Sequence, residues 1–373
     1  MSSTALLLVL LAITHAHAWN AVKNQPVVGI IGQYGTDTLG KQFPSPTKYY
    51  TYVAGSYVDW IGITGAIPMI IPFDVPRSTL VYLLEQTDMF LIPGGGTPLE
   101  DGKGGPSDFQ ESVNFVIDWA KKKNDNGTYY PIWGTCNGFE ALMVYWANTS
   151  YVLSCQFDDI QRDHTVVKNT TNFPNSKIWN SLNKDDMNYV FDQGYVFYDH
   201  NCGVDIDHFF QYPKANQNTM VTAVSKNDMG VEFIAMAEDR KYPFFATQWH
   251  PEKNQFERGP NNAWLDKSSI TIRFLSEIIQ EVIDRVRPTS RTLDQIPMSV
   301  RPYFSMYQTP LVVGYNNFER VYLTQRIIAD LKSHENAEVS LPIRDGPGRW
   351  QSQIDARGPV YTSDIEEVRL NKE

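Results

Sequence analysis

Between Gln25 and Trp146, short apolar runs bounded by Pro or Gly alternate with segments of helical periodicity, and few architectures accommodate that alternation. Gln25-Pro-Val-Val-Gly-Ile-Ile-Gly, Pro68-Met-Ile-Ile-Pro, Asp88-Met-Phe-Leu-Ile-Pro and the run Tyr129 to Gly134 read as strands. Unbroken apolar runs of this length fit strands covered on both faces. Ser56 to Thr64, Ser78 to Glu85 and Val113 to Lys123 read as the helices between them. The last sets Val113, Val116 and Ala120 on one face and gathers Lys121, Lys122 and Lys123 near its C-terminal end, where the helix dipole favours cations. Such units join parallel strands by right-handed crossovers. The expected fold class is therefore α/β, a doubly wound, mostly parallel sheet flanked by helices. Further on, Met220 to Ser225 and Val231 to Glu238 predict a hairpin around Asn227-Asp228, and Pro243 to Trp249 another strand. From Ser269 to Val286, Ile270, Phe274, Ile278, Val282 and Val286 mark a core-facing helix closed by Pro288.

The chain has 373 residues, enough for one large α/β domain with additions or for two or three domains. A hydrophobic content of 42% excludes a mainly disordered chain, and a net charge of −10 argues against a nucleic-acid binder. After the first 20 residues no stretch is apolar enough to span a bilayer. Ala5 to Ile13 is a nearly unbroken apolar run that leads to Ala16-His17-Ala18, which reads as a secretory signal peptide cut after Ala18. Sequons at Asn126, Asn148 and Asn169 agree with export and are candidate glycosylation sites. Three cysteines preclude a dense disulfide scaffold, and an odd number leaves at least one thiol free. A bridge between Cys155 and Cys202 would leave Cys136 free, but their distance cannot be read from sequence.

The strongest chemical signal is Pro131-Ile-Trp-Gly134-Thr-Cys136-Asn137-Gly138-Phe-Glu140. An apolar strand enters Gly-x-Cys-x-Gly and an apolar helical segment leaves it, the arrangement of a nucleophile elbow with Cys in place of Ser. Cys136 then stands at a helix N-terminus, where the dipole favours a thiolate. The same spacing can surround an inert buried cysteine; the flanking strand and helix favour the functional reading. In Thr247-Gln-Trp-His250-Pro251-Glu252-Lys253, Pro251 forces His250 toward extended backbone at a strand end. There an imidazole can take a thiol proton and return it to a leaving amine, while Glu252 orients it. A third signal, Pro93-Gly94-Gly95-Gly96, follows a strand and bares backbone N–H groups that can hold an oxyanion together with the N–H of Asn137. No Gly-Lys-Ser/Thr follows it, so a P-loop is excluded. Asp199-His200-Asn201 could line a substrate cleft, although a structural histidine fits equally. Asp205, Asp207 and His208 lack metal-ligand spacing, so no metal is assigned.

Gly134-Thr-Cys-Asn-Gly-Phe-Glu, Gln248-Trp-His-Pro-Glu-Lys and Pro93-Gly-Gly-Gly closely resemble the γ-glutamyl hydrolases, within the class I glutamine amidotransferase-like, flavodoxin-like group. The similarity runs from about Pro26 to about Leu323 and takes in Ser56-Tyr-Val and Tyr307-Gln to Phe318. It implies Cys136 as nucleophile, His250 as base and acid, Glu252 as orienter, and hydrolysis of poly-γ-glutamylated folates or other γ-glutamyl peptides through a thioester. It also implies no cofactor, a homodimer, and secretion or residence in a lysosome or vacuole. Family elbows usually carry a larger apolar residue where Asn137 stands. The expected division is a signal peptide over 1–18, a γ-glutamyl hydrolase domain over 19–324 and a C-terminal tail over 325–373, partly disordered. Lys253 is the nearest cation for the substrate α-carboxylate, and a solvated surface lysine is the equal alternative. Two rivals use the same motifs: a glutamine amidotransferase-type glutaminase, and an exported γ-glutamyl-binding protein without turnover. The leader, the sequons and the lack of a synthetase domain argue against the first, and the intact Cys–His–Glu set argues against the second.

Overall fold

The apolar runs become the strands of one sheet, and the connections between them carry helices to both of its faces. The computed structural model describes residues 24–34, 50–155, 157, 159–169, 171–315, 318–325, 343–344 and 350–351. The expected signal peptide over 1–18 lies outside the described residues, as does nearly all of the expected tail. Contacts divide the chain into two units, Met1–Ile328 and Ala329–Glu373.

In the first unit the chain opens with β1 (Val27–Ile31), β2 (Gln33–Tyr34), β3 (Tyr50–Ala54), α1 (Gly55–Gly62), β4 (Ile67–Ile71), α2 (Arg77–Leu84) and β5 (Met89–Ile92). It continues with α3 (Asp108–Asp125), β6 (Ile132–Thr135), α4 (Asn137–Ala147), β7 (Asp159–His164), β8 (Val167–Lys168), α5 (Lys184–Gln193) and β9 (Val196–His200). Then follow β10 (Thr219–Lys226), β11 (Glu232–Asp239), β12 (Phe244–Thr247), α6 (Lys253–Phe256), α7 (Ser269–Val286), β13 (Leu311–Tyr315) and β14 (Phe318–Gln325). The main sheet runs β4-β1-β5-β6-β12-β11-β10-β8. Neighbours from β4 to β12 are parallel, and the three pairs beyond β12 are antiparallel. Strand order reverses around β1, so the crevice at the carboxyl ends is where an open α/β sheet binds its ligands.

Two apolar layers hold the sheet. Leu80, Val113 and Phe139 from α2, α3 and α4 belong to one buried cluster, and Trp60 and Phe274 from α1 and α7 belong to the other. The α3 helix is longer than its apolar stripe suggests because Ser107 caps it, accepting from the Gln110 N–H at 3.1 Å, with Asp108 and Glu111 in the first turn and Lys122 and Lys123 in the last. In α7 the stripe Phe274, Ile278, Val282 and Val286 is buried as expected, and Ser268 caps the start.

A second sheet, β13-β14-β3-β2, was not expected from the sequence. Its β3 and β14 pair antiparallel over Tyr50–Ala54 and Val321–Gln325, and Arg320 forms an ion pair with Asp59 on α1. A smaller antiparallel pair joins β7 and β9. In the second unit, β15 (Ile343–Arg344) pairs antiparallel with β16 (Trp350–Gln351).

Cys155 and Cys202 form a disulfide across a sequence separation of 47 residues, which leaves Cys136 as the free thiol. Replacing both by serine should cost about 2–4 kcal/mol, because the cross-link removes chain entropy from the unfolded state. A urea titration reads this as a lower midpoint; equal midpoints would show the bridge to be energetically idle.

Candidate functional site

Three adjacent strands, β5, β6 and β12, end at the same edge of the sheet, and each passes into one of the three motifs. At the end of β6 the chain turns into α4 within one residue. Cys136 has φ 52° and ψ −110°, a left-handed conformation that an ordinary side chain adopts only under constraint. The constraint is close packing. A Cβ on Gly138 would lie 2.0 Å from the Ile92 carbonyl oxygen, and one on Gly134 would lie 2.6 Å from the Gly138 carbonyl oxygen. Only glycine at both positions lets α4 approach β5 and β6 so closely. The Cys136 N–H donates to the Thr247 carbonyl of β12 at 2.9 Å, and its thiol meets the Asp199 carbonyl at 3.5 Å.

His250 leaves β12 with its N–H donating to the Phe197 carbonyl at 2.8 Å. Its Nδ1 is 2.7 Å from Glu252 Oε1, while Nε2 is buried without a hydrogen-bond partner. The carboxylate therefore favours the tautomer with the proton on Nδ1 and leaves a lone pair on Nε2. His250 and Cys136 face one small space beside Gly94. A Cβ built there would meet His250 Cε1 at 2.7 Å and Cys136 Cβ at 3.2 Å.

The sequence leads one to expect a thiolate at the helix N-terminus. Here burial outweighs the dipole. It pushes the Cys136 thiol well above its ordinary range, Glu140, Asp199 and Glu252 push it further, and only the Asn137 N–H pulls it down. These groups together favour the neutral thiol in the resting site. Gly94 also departs from expectation, because its N–H donates to Tyr57 Oη at 2.7 Å and is not open to an oxyanion. Gly95 lies against the Gln33 side chain, Gly96 is exposed, and the Asn137 N–H points at the Cys136 sulfur.

His200 is buried among Phe157, Tyr198 and Phe233, and its Nδ1 faces the Cys202 carbonyl at 2.8 Å. Its neighbour Asp199 is the residue that touches the sulfur. Lys253 is not on the surface: it is 1% exposed, with Nζ 3.9 Å from Asp199 Oδ2 and over the rings of Phe197 and Phe318. Asn126 and Asn148 are exposed at the C-terminal ends of α3 and α4, and Asn169 is half-buried. Among the described residues no group of three or more His, Cys, Asp or Glu side chains could hold a metal ion.

Several residues lacked a sequence signal for their place here. The Gln33 amide donates to the Pro93 carbonyl at 3.0 Å and to Asn137 Oδ1 at 3.2 Å, and Asn137 Nδ2 donates to the Thr97 carbonyl and Glu140. Glu140 stands one helical turn beyond Cys136 and also accepts from Gln248. Burial pushes its carboxyl up to about 8, against two stabilising hydrogen bonds.

A cysteine at a strained strand-to-helix turn, with a carboxylate-oriented imidazole beside it on a doubly wound sheet, defines a cysteine-type hydrolase. Residues 26–252 match the Peptidase C26 family model, and the chain belongs to that family. It is similar to gamma-glutamyl hydrolase B of Dictyostelium discoideum, 26% identical over 68% of this chain and 70% of that protein. It is also similar to the gamma-glutamyl hydrolase of Rattus norvegicus, 28% identical over 62% and 69% of the two chains. Among solved structures, a glutamine amidotransferase of Thermotoga maritima aligns at 9% identity over 70% of this chain and 98% of that one, with a TM-score of 0.38.

The raised Glu140 carboxyl has a stability consequence. A carboxyl whose folded pKa exceeds its unfolded value costs stability as pH rises from about 4.5 to about 8, and the cost then levels off. Glu140→Gln mimics the protonated acid and removes that cost. The variant should melt higher than wild type at pH 8 and approach it near pH 5; parallel melting curves at both pH values would refute a buried, protonated Glu140.

Proposed function

We propose that the chain hydrolyses γ-glutamyl bonds of poly-γ-glutamylated folates or other γ-glutamyl peptides through a thioester on Cys136. The observation that carries the chemistry is the buried Nε2 of His250, left without a hydrogen-bond partner while Glu252 holds Nδ1, on a ring that meets the same Gly94 backbone as Cys136. The substrate class rests on the relatives, which are named gamma-glutamyl hydrolases.

Because the thiol rests protonated, attack and deprotonation go together. His250 Nε2 takes the Sγ proton as the sulfur bonds to the γ-carbonyl carbon. The oxyanion is held by N–H groups of Gly95 or Gly96 and Asn137, with Gly94 supporting the loop. The C–N bond then breaks and His250 passes its proton to the leaving α-amine. The amine departs as glutamate or a γ-glutamyl peptide; water, deprotonated by the same nitrogen, then attacks the thioester, which releases the shortened γ-glutamyl chain as its carboxylic acid and restores the thiol. Lys253 with Asp199 would set the charge around the substrate α-carboxylate, and His200 would line the wall behind them.

The same proposal includes export, with a signal peptide over 1–18, glycans at Asn126, Asn148 and Asn169, and a secreted, lysosomal or vacuolar location. The Cys155–Cys202 disulfide supports it, since such bridges persist in oxidising compartments. No described helix is long and apolar enough to cross a membrane. A homodimer belongs to this reading as well.

Incubation with folate pentaglutamate and mass analysis of the products should show shortened glutamate chains, with Cys136→Ala lowering turnover by about 10⁴-fold or more. Ammonia released from glutamine with no action on γ-glutamyl peptides would point instead to a glutaminase. Full activity in Cys136→Ala would remove the thioester route. Lys253→Met should raise KM roughly tenfold with little change in kcat, as expected on losing a charged contact made equally in ground and transition states. Steady-state kinetics check this, and an unchanged KM would take Lys253 out of the binding site.

A further inference from the structure

Tyr57 lies on α1, away from the loops that carry Cys136 and His250, and enters none of the steps above. It is 1% exposed. Its phenol oxygen accepts the Gly94 N–H at 2.7 Å and stands 3.3 Å from His250 Nδ1, the same nitrogen that faces Glu252 at 2.7 Å. The phenol oxygen accepts from Gly94 with a lone pair, and its own O–H is directed to the Glu252 carboxylate that also holds His250 Nδ1, so one hydroxyl meets two different parts of the site. The room is tight: a Cβ on Gly94 would lie 2.7 Å from Tyr57 Oη and 2.7 Å from His250 Cε1.

We propose that Tyr57 is a positioning residue whose single oxygen fixes both the Gly94–Gly96 loop and the His250 imidazole, holding the oxyanion donors and the base in register with Cys136. The inference rests on the hydrolytic reading of Cys136 and His250. Gln33 and Asn137 tie the loop at Pro93 and Thr97, and the Tyr57 contact fixes Gly94 itself, whose glycine backbone is otherwise permissive. Glu252 holds the ring at Nδ1 and Phe197 packs against it, and the Tyr57 oxygen, 3.3 Å from the same nitrogen, adds a restraint from a third direction. Burial, with the Glu252 charge beside it, holds the phenol well above its ordinary range, so it rests as a neutral hydroxyl.

The test uses Tyr57→Phe in the full chain with folate pentaglutamate, next to Cys136→Ala, at a temperature well below the melting midpoint of each variant. Removing the oxygen should lower kcat roughly ten- to hundred-fold and leave KM within about twofold, because misplacement of reacting groups is felt in the transition state. Alkylation of Cys136 by iodoacetamide should slow several-fold in the same variant, since the displaced imidazole no longer helps the thiol ionise. Gly94→Ala attacks the junction from the other side and should reproduce the loss of kcat. A kcat within about twofold of wild type in either variant, or a loss matched by an equal rise in KM, would overturn the role of Tyr57 alone. Full activity of Cys136→Ala would overturn the hydrolytic reading and this inference with it.

Discussion

The site depends on how closely one helix approaches one strand. Gly138 brings its backbone so near the Ile92 carbonyl that no side chain fits between them. That contact pins the start of α4 to β5 and forces the chain at Cys136 to turn within a single residue. A strained φ of this kind costs on the order of 1–3 kcal/mol. The cost is offset by the fully apolar flank of α4, where Phe139, Leu142, Met143 and Trp146 are buried. The strain is thus imposed by packing rather than by the sulfur, and the sulfur gains its position at the carboxyl edge from it.

Electrostatics then decides in which form the sulfur waits. After burial, Glu140 where it is ionised, Asp199 and Glu252 raise the thiol pKa, and the Asn137 N–H opposes them. A neutral thiol is a slow partner for oxidants and alkylating agents. In the proposed mechanism it becomes a nucleophile when a carbonyl carbon and the His250 imidazole nitrogen are both at hand. Cysteine enzymes that hold a ready thiolate gain speed at the first step; this arrangement ties ionisation to attack. In the proposed mechanism the carboxylate of Glu252 would serve both ends of that event, orienting the ring before it and countering the imidazolium charge after it.

Much of this was legible in the sequence because the motifs are local. The strands at Val27–Ile31, Ile67–Ile71 and Met89–Ile92 are short apolar runs closed by Pro or Gly, and helix α7 shows its stripe and its stop at Pro288. Gly-x-Cys-x-Gly marked the strand-to-helix turn at Cys136, and His-Pro-Glu marked the strand end that carries the His250–Glu252 contact. The second sheet stayed hidden because β14 pairs with β3 from nearly the other end of the chain, and neither strand has an apolar pattern strong enough to declare itself. The state of the thiol was hidden for another reason. A helix dipole can be read from local order, but the carboxyl groups that oppose it come from Glu140, Asp199 and Glu252, which only the fold assembles. Tyr57 and Gln33 were invisible in the same way, since their partners lie on other elements.

Asn137 shows how the chain departs from the elbow it resembles without losing it. An apolar residue there would pack against its surroundings and leave the loop after β5 to hold itself. The amide instead links Gln33, the Thr97 carbonyl and Glu140, so the nucleophile helix and the glycine loop share one set of hydrogen bonds. Polar groups at this depth are tolerable when they are neutral and paired, and costly when charged. Three of the four side chains, Gln33, Asn137 and Gln248, carry no charge. The fourth, Glu140, has its carboxyl raised by burial to about 8 and so is largely uncharged near neutral pH. The raised carboxyl is therefore what makes an asparagine admissible at the elbow: an ionised Glu140 would leave a buried charge beside a sulfur that already faces Asp199 and Glu252, whereas a protonated one completes a neutral network.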